Sequence, residues 1–490
     1  MAKRNNKGNF EQVGLQVGNQ VELAIESLNS SGQGVAHHEG LTVFVEAAVP
    51  GDQVIAQIQE RRPRYAVAGI ERLISSSTDR VNAVCAVFGR CGGCSLQSMS
   101  YPAQLRVKRE QVMAALNRIG GFKAAELERL VKPALGMKDP WHYRAKVQYP
   151  VSGTTQAPLI GFYAPRSHEV VEHSECAIEH PAADIVRRVI KNHCIQHNVE
   201  PYDETDHTGL LRHIVVRIGF ATGQVMVILV INSDKEKIPA IDQLIKNLNA
   251  ALRLSELKTA LGGPYSAHSL YLNHHNQRSN LVLGDSLTLV QGETHIEEHL
   301  LGLRYLISPL AFFQVNPIQT EVLYQKVAEY AALKGTETVL DLYCGTGSIS
   351  LVLARNAKMV IGVEEVETAI TDARTNARIN NLESRTRFEV GKAEIILPEL
   401  IKEGISVDIA VVDPPRKGCD PHLLEAILTV APERFIYVSC NPATLARDLA
   451  ILTRDGSYQL KAVQPVDMFP QTSHVETICL MSRKIKSGKP

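Results

Sequence analysis

No run of apolar residues in this chain can cross a bilayer. The longest, Val225 to Ile231, falls far short of the roughly 20 residues that a spanning helix needs. An excess of charge is missing too: 52 Lys plus Arg balance 52 Asp plus Glu. A protein that coats nucleic acid without selection is usually basic overall, so any nucleic-acid surface here has to be a local patch. Met1 to Phe10 is polar and basic with no apolar stretch behind it, so no secretory leader is read and the expected compartment is the cytoplasm. In that reducing compartment the nine cysteines are not expected to form disulfides; they are candidate metal ligands, catalysts or core filler. Internal repeats and low-complexity tracts are also absent. With 44% hydrophobic and 21% charged residues, the disordered and fibrous classes are excluded.

At 490 residues the chain is long enough for about three domains. After a polar tail around Lys3, Arg4 and Lys7, residues 13–73 show short alternating strands: Val21, Leu23 and Ile25; Leu41, Val43 and Val45; Val54, Ala56 and Ile58. With Pro50-Gly51-Asp52 as a turn between two of them, the pattern predicts a small β-barrel. Arg61, Arg62 and Arg64 beside Tyr65 suit a nucleic-acid surface, and equally a solvated loop. Residues 74–312 read as a mixed α+β central domain that opens with a cysteine-bearing segment and a helix over Gln104–Ile119; its clearest strands are Val215-Val216-Arg217 and Val225 to Ile231. Over 313–483 apolar strands alternate with helices: strands Thr338–Leu342, Met359–Val363, Val407–Val412 and Phe435–Val438, and helices Ile349–Arg355, Thr368–Asn380 and Leu423–Val430. This is the pattern of an α/β doubly wound sheet with helices on both faces. A basic end, Arg483 to Pro490, follows.

Three loops of that last domain carry candidate chemistry. Asp341 to Ser348 runs from a strand through a glycine turn into a helix, and Gly345 lets backbone approach a ligand in the crevice beyond the strand ends. Ser350 stands where a dinucleotide fingerprint has its third glycine, so that fingerprint is broken. Glu364, after the next strand, can accept hydrogen bonds from both hydroxyls of a ribose. Asp413-Pro414-Pro415-Arg416 follows a buried strand, its prolines aiming Asp413 into the same crevice. Ser439-Cys440-Asn441-Pro442 follows another. A cysteine there is usually a small buried hydrophobe, but the rigid turn and the shared edge favour a reactive thiol. His474 and Glu476, two apart on an expected strand, share a face, and either is a candidate base; an exposed polar strand face is the alternative.

Cys85, Cys91 and Cys94 are closely spaced, and Cys176 is remote. Both zinc and a [4Fe–4S] cluster accept four thiolates. A single C-x-x-C with a longer gap before it and a distant partner favours the cluster, and Gly92 and Gly93 let amides approach its sulfurs. Cys194, Cys344, Cys419 and Cys479 have no ligand spacing and read as core or loop residues.

Together the segments at Asp341–Gly347, Gly362–Glu364, Val412–Gly418, Ser439–Pro442, His474–Glu476 and Phe312–Asn316 resemble the RumA/RlmD-type 23S rRNA (uracil-5-)-methyltransferase family along nearly the whole chain. The resemblance implies a Rossmann-like class I methyltransferase domain, an N-terminal OB-like TRAM barrel, and S-adenosylmethionine held by Gln314, Tyr343, Glu364 and Asp413, with Cys440 as nucleophile and Glu476 as base. It also implies the [4Fe–4S] cluster on Cys85, Cys91, Cys94 and Cys176. Some members carry Phe at Tyr343 and Asn at Ser348. Uracil carbon 5 is too weak a nucleophile to attack a sulfonium methyl, and a thiolate added at carbon 6 makes it an enolate carbon that can. The expected partner is RNA, 23S rRNA in particular, acted on by a monomer. A tRNA uridine methyltransferase is the alternative substrate reading, and an iron–sulfur RNA-binding protein without methyl transfer the alternative class. RNA cytosine enzymes usually have a cysteine after a proline in the Asp413 loop, and adenine enzymes an aromatic after the prolines; Arg416 stands here.

Overall fold

The structure is a computed structural model that describes residues 14–234 and 237–484. The N-terminal tail and the basic end after Lys484 lie outside the described residues. The chain divides into two compact units. One comprises residues up to Gly89, Gly93–Val107 and Gln471–Ser473; the other holds Arg90–Gly92, Lys108–Pro470 and the residues from His474 onward.

The first unit is built on a six-stranded, barrel-like sheet of Gln20–Ala24, Ser27–Leu28, Gly34–His38, Leu41–Val45, Gln53–Arg62 and Tyr65–Ser75. Alternation decides its inside: Leu23, Val43, Val45, Val54, Ala56 and Ile58 are buried. Arg62, Arg64 and Tyr65 sit at the exposed turn between the last two strands.

The second unit contains two seven-stranded sheets. The first is formed by Lys146–Gly153, Pro158–Tyr163, Val170–Glu172, Leu211–Ile218, Gln224–Ile231, Ser266–His274 and Ser286–Gly292. Leu211–Ile218 is buried along its whole length, because Val215 faces one core and Ile214 and Val216 another. Helices Pro181–His197 and Ile241–Leu254 complete the second of those cores.

The other sheet consists of β1 (Thr338–Leu342), β2 (Met359–Glu364), β3 (Thr386–Val390), β4 (Ile409–Val412), β5 (Arg434–Ser439), β6 (Tyr458–Val466) and β7 (Glu476–Arg483). Its order is β3-β2-β1-β4-β5-β7-β6. The first five are parallel; β7 is antiparallel to both β5 and β6. β1 and β4 bury both faces, Val339 and Ile409 toward one core and Leu340 and Ala410 toward the other, which is why they read as continuous apolar runs. Strand order reverses between β1 and β4, where such sheets bind ligands. The sequence reading passed over β3 and the helix Ala393–Lys402: β3 is an edge strand that buries only Phe388, so its apolar signal is too thin. No helix of the described residues is long and apolar enough to cross a membrane.

Between β6 and β7 the chain passes through a segment held by side chains from elsewhere in the unit. Lys108, fully buried, pairs with fully buried Asp467 and also donates to the Phe469 carbonyl at 3.1 Å. Gln319 donates to the Asp467 carbonyl, Asn316 to that of Met468 and Tyr143 to that of Pro470, at 2.9–3.0 Å. Burial works against the Lys108 charge, and Asp467 supports it. Removing one partner leaves an uncompensated buried charge, so Lys108→Met is expected to destabilise the protein by about 3–5 kcal/mol, whereas Lys108→Met with Asp467→Leu recovers most of the loss. Urea unfolding of the two variants checks this; a double variant no more stable than the single would refute it.

Candidate active site

Register places the candidate loops side by side. Leu342 of β1 pairs with Val363 of β2 and Val412 of β4, Val412 with Tyr437 of β5, and Ser439 of β5 with Thr477 of β7. Tyr343, Glu364, Asp413 and Cys440 therefore stand at the carboxyl ends of neighbouring parallel strands. Glu476 joins them because β7 runs the other way and starts where β5 stops.

The β1 turn needs three residues at positive φ: Tyr343 (64°), Gly345 (53°) and Gly347 (77°). A tyrosine in that region is strained, so the surrounding structure has to hold it. Glu364 spans the turn, accepting from the Gly345 amide at 3.2 Å and the Val366 amide at 3.0 Å. Ser350, the broken glycine position, is buried and donates to Asp341, whose other carboxyl oxygen has no hydrogen-bond partner. Burial pushes Asp341 up to about 7. A cavity of about 250 Å³ opens beside the turn, lined by Tyr343, Glu364, Lys392, Ala393, Asp420 and Pro421 among others. Gln314, Gly345 and Asp413 do not line it. Gln314 is buried next to Val315, whose carbonyl accepts from the Ala145 amide at 2.7 Å. The Gly391 to Glu394 stretch and Asp420-Pro421 escaped the sequence reading, the former because its strand did.

The loops after β4 and β5 are stapled together. Asn441 donates to the Arg416 carbonyl at 3.0 Å, as Thr444 does at 3.3 Å, while the Asn441 side chain caps the helix Pro442–Thr453. Buried Asp448 accepts from the Cys419 amide at 2.9 Å and the Tyr437 hydroxyl at 2.6 Å. Gly418, at φ 80°, has no room for a side chain: a Cβ would lie 2.6 Å from both Arg447 and Asp448. Asn441 of the Ser-Cys-Asn-Pro motif is thus a structural tie.

Burial pushes the half-buried Cys440 thiol up to about 11, with Glu476 and Asp413 adding to the shift and Arg416 opposing it. Glu476, 4% exposed, is itself held well above the glutamate range by burial and by Asp413, against Arg416. Burial raises Asp413 as well. His474 does not share a strand face with Glu476: it precedes β7 and is exposed. Partial burial and the cations Arg416, Lys108 and Arg144 lower its pKa. It is the Glu476 carboxyl whose charge acts on the Cys440 thiol.

Cys85, Cys91, Cys94 and Cys176 are all half-buried, whereas Cys194, Cys344, Cys419 and Cys479 are buried. The Gly92 amide donates to the Tyr163 carbonyl at 2.9 Å, and a Cβ on Gly92 would sit 2.9 Å from that oxygen. Glycine at 92 therefore serves backbone packing, where the sequence reading assigned its amide to a sulfur. Cys176 lies in a group with His173 and Glu179, their ligand-type atoms within 4.8 Å of one another.

A seven-stranded sheet with this order, a glycine turn after β1 and an acidic residue after β2 define a methyltransferase domain. Comparison with known proteins narrows the class. The tRNA (uracil-5-)-methyltransferase family profile matches residues 223–484, and the TRAM domain profile matches 14–70. An uncharacterized RNA methyltransferase of Listeria innocua is 44% identical over 470 residues, covering 96% of this chain and 99% of its own length. One of Clostridium tetani is 45% identical over 460 residues, covering 94% and 95%. The crystal structure of Pyrococcus abyssi tRNA (uracil-54, C5)-methyltransferase with S-adenosyl-L-homocysteine superposes with a TM-score of 0.72 at 27% identity, covering 94% of this chain and all of that one. The chain belongs to the tRNA (uracil-5-)-methyltransferase family: it is an RNA (uracil-5-)-methyltransferase with a TRAM domain.

The raised Glu476 pKa has a consequence for stability. A carboxyl that holds its proton more tightly in the folded state contributes stability that is complete below the unfolded glutamate value, about 4.3, and is lost as pH rises through the raised one. Melting temperature is expected to fall over that interval, and Glu476→Gln to flatten the fall and melt higher than the wild type at its alkaline end. An equal slope in both proteins would contradict the assignment.

Proposed function

We propose that this enzyme uses S-adenosylmethionine to methylate carbon 5 of a uridine in 23S rRNA through a covalent adduct with Cys440, acting as a monomer in the cytoplasm. The observation that carries the reading is the meeting of Cys440, Glu476 and Asp413 on one sheet edge beside the β1 turn. Tyr343, Gly345, Glu364, Asp413 and Gln314 are the residues assigned to the cofactor; the cavity beside Tyr343 and Glu364 supports the adenosine end of that assignment. The bound cofactor supplies an electrophilic methyl group.

The protein's residues handle the thiol and the protons. Cys440 rests as a thiol, because burial and two carboxyls disfavour its anion more than Arg416 and a backbone hydrogen bond favour it. Its proton therefore passes to water as sulfur bonds to carbon 6, and the electrons of the carbon 5–carbon 6 double bond move into an enolate. Carbon 5 then takes the methyl. Glu476 removes the carbon 5 proton, the sulfur–carbon 6 bond breaks, and the double bond re-forms. A carboxyl lifted toward neutral pH is a stronger base than an ordinary glutamate, which suits this last step.

Cys440→Ala is expected to abolish turnover and keep cofactor affinity within a few-fold; near-normal turnover would sink the covalent mechanism and favour no other role for the thiol. Glu476→Gln is expected to stall after methyl transfer, leaving a methylated protein–RNA adduct that survives denaturing electrophoresis. RNA carrying 5-fluorouridine should trap wild-type enzyme through Cys440, because fluorine cannot leave as a cation. A tRNA substrate is the second reading, favoured by the substrate of the Pyrococcus abyssi relative. Mapping 5-methyluridine in 23S rRNA and in tRNA from cells lacking the protein separates the two.

For the metal we propose a structural [4Fe–4S] cluster on Cys85, Cys91, Cys94 and Cys176. The donor set fits, being four half-buried thiols. Beside Cys176, moreover, buried His173 has no hydrogen-bond partner for either ring nitrogen, its Nε2 lying 3.6 Å from an oxygen of buried Glu179, as expected where a further group belongs. The same group favours, as a second reading, one metal ion on His173, Cys176 and Glu179. Protein purified without air should be brown, with about four irons per chain, and Cys91→Ser should bleach it. One zinc and no iron would select the second reading.

A further inference from the structure

In the central sheet of the second unit, strand Lys146–Gly153 runs antiparallel to Leu211–Ile218 with Lys146 directly opposite Arg217. Like charges facing each other across a sheet are destabilising. Arg217 is 3% exposed, its Nε has no hydrogen-bond partner, and its Nη2 donates to the neutral Ala311 carbonyl. The half-buried Lys146 amine makes neither a hydrogen bond nor an ion pair among the described residues. The guanidinium of Arg144, two residues away, donates to the Lys146 carbonyl at 3.0 Å. Burial, Arg217 and Arg144 together push Lys146 down to about 7, and burial pushes Arg217 down to about 10, opposed only by Asp372. Asp372 is already engaged by the Ser308 hydroxyl at 2.6 Å.

The cluster's position is informative. The Ala145 amide, between Arg144 and Lys146, donates to the Val315 carbonyl, and Arg217 donates to that of Ala311. Arg217 and the backbone between Arg144 and Lys146 thus hold the two ends of the 311–315 segment, which carries Gln314 and Phe312, the latter 69% exposed. The Arg144 charge also reaches His474, two residues before Glu476. Clustered cations beside an exposed aromatic are what a single-stranded nucleic acid requires of a surface: charge for the backbone and a ring face for a base.

We propose that Arg144, Lys146 and Arg217 form an oxyanion site that takes a backbone phosphate of the RNA substrate next to the reacting uridine. The inference rests on RNA being the substrate. A cofactor carboxylate offers the same oxyanion chemistry, but the cavity beside the β1 turn has cations of its own, Lys392, Lys417 and Arg447, and none of these three.

The test uses the full-length holoenzyme, Lys146→Gln and Lys146→Arg, with a uridine-containing single-stranded RNA oligonucleotide as probe. Anisotropy over a range of KCl concentrations should show Lys146→Gln weakening binding about tenfold at low salt and reducing the slope of log affinity against log salt by about 0.7, the loss of one phosphate contact on a single strand. Lys146→Arg should keep the wild-type slope. Lys146→Gln should also melt higher than the wild type, since it removes the like-charge pair, and should bind S-adenosylmethionine normally by calorimetry. An unchanged salt slope, a lower melting temperature, or a loss of cofactor affinity with RNA binding intact would each overturn the proposal. Wild-type protein that binds no RNA at all would instead mean that the substrate reading has failed.

Discussion

The buried Lys108–Asp467 pair sets the geometry on which the active edge depends. Asp467 is the first residue after β6, and the chain must turn there so that β7 can enter the sheet between β5 and β6. Four side chains, Lys108, Asn316, Gln319 and Tyr143, hold that turn by its carbonyls or its carboxylate. Each belongs to a different stretch of sequence from the turn itself, so the placement of Glu476 is a tertiary achievement. Burying two charges is costly, and the arrangement persists because a point contact of that strength fixes direction as well as distance.

The electrostatics of the edge are unusual for the thiol we propose as the nucleophile. Reactive cysteines commonly have cations or a helix N-terminus lowering their pKa. Here burial and then two carboxyls raise it, and one exposed arginine and a backbone hydrogen bond counter them. The same carboxyls make each other harder to ionise, so protons can move at this edge near neutral pH. A thiol kept protonated is also protected from chance oxidation.

Much of this was legible before the structure. The loops after β1, β4 and β5 are marked by glycine, proline, aspartate and cysteine at strand ends, and those residues announce themselves because backbone and chemistry constrain them together. The barrel strands were legible because one face is wet and the side chains alternate. What escaped is what depends on partners. β3 was missed because an edge strand with one buried residue has little apolar signal, and the cavity wall at Lys392 went with it. The facing of Lys146 and Arg217 cannot be read at all, since register lies in the pairing of strands 71 positions apart in the chain (146 to 217). The expected strand through His474 failed because β7 begins at Glu476 and the residue before it, Val475, is buried between an exposed imidazole and a buried carboxyl.

The position of β7 has a temporal meaning. It follows every other strand of its sheet in the chain, yet it lies inside the sheet, between β5 and β6. A ribosome releases the chain from its N-terminus, at about 5–20 residues per second. Until β7 emerges, β5 carries an open hydrogen-bonding edge, β6 lacks its partner within the sheet, and Cys440 stands without Glu476. The nascent chain therefore completes the β1 turn long before the sheet edge that brings Glu476 beside Cys440 is closed.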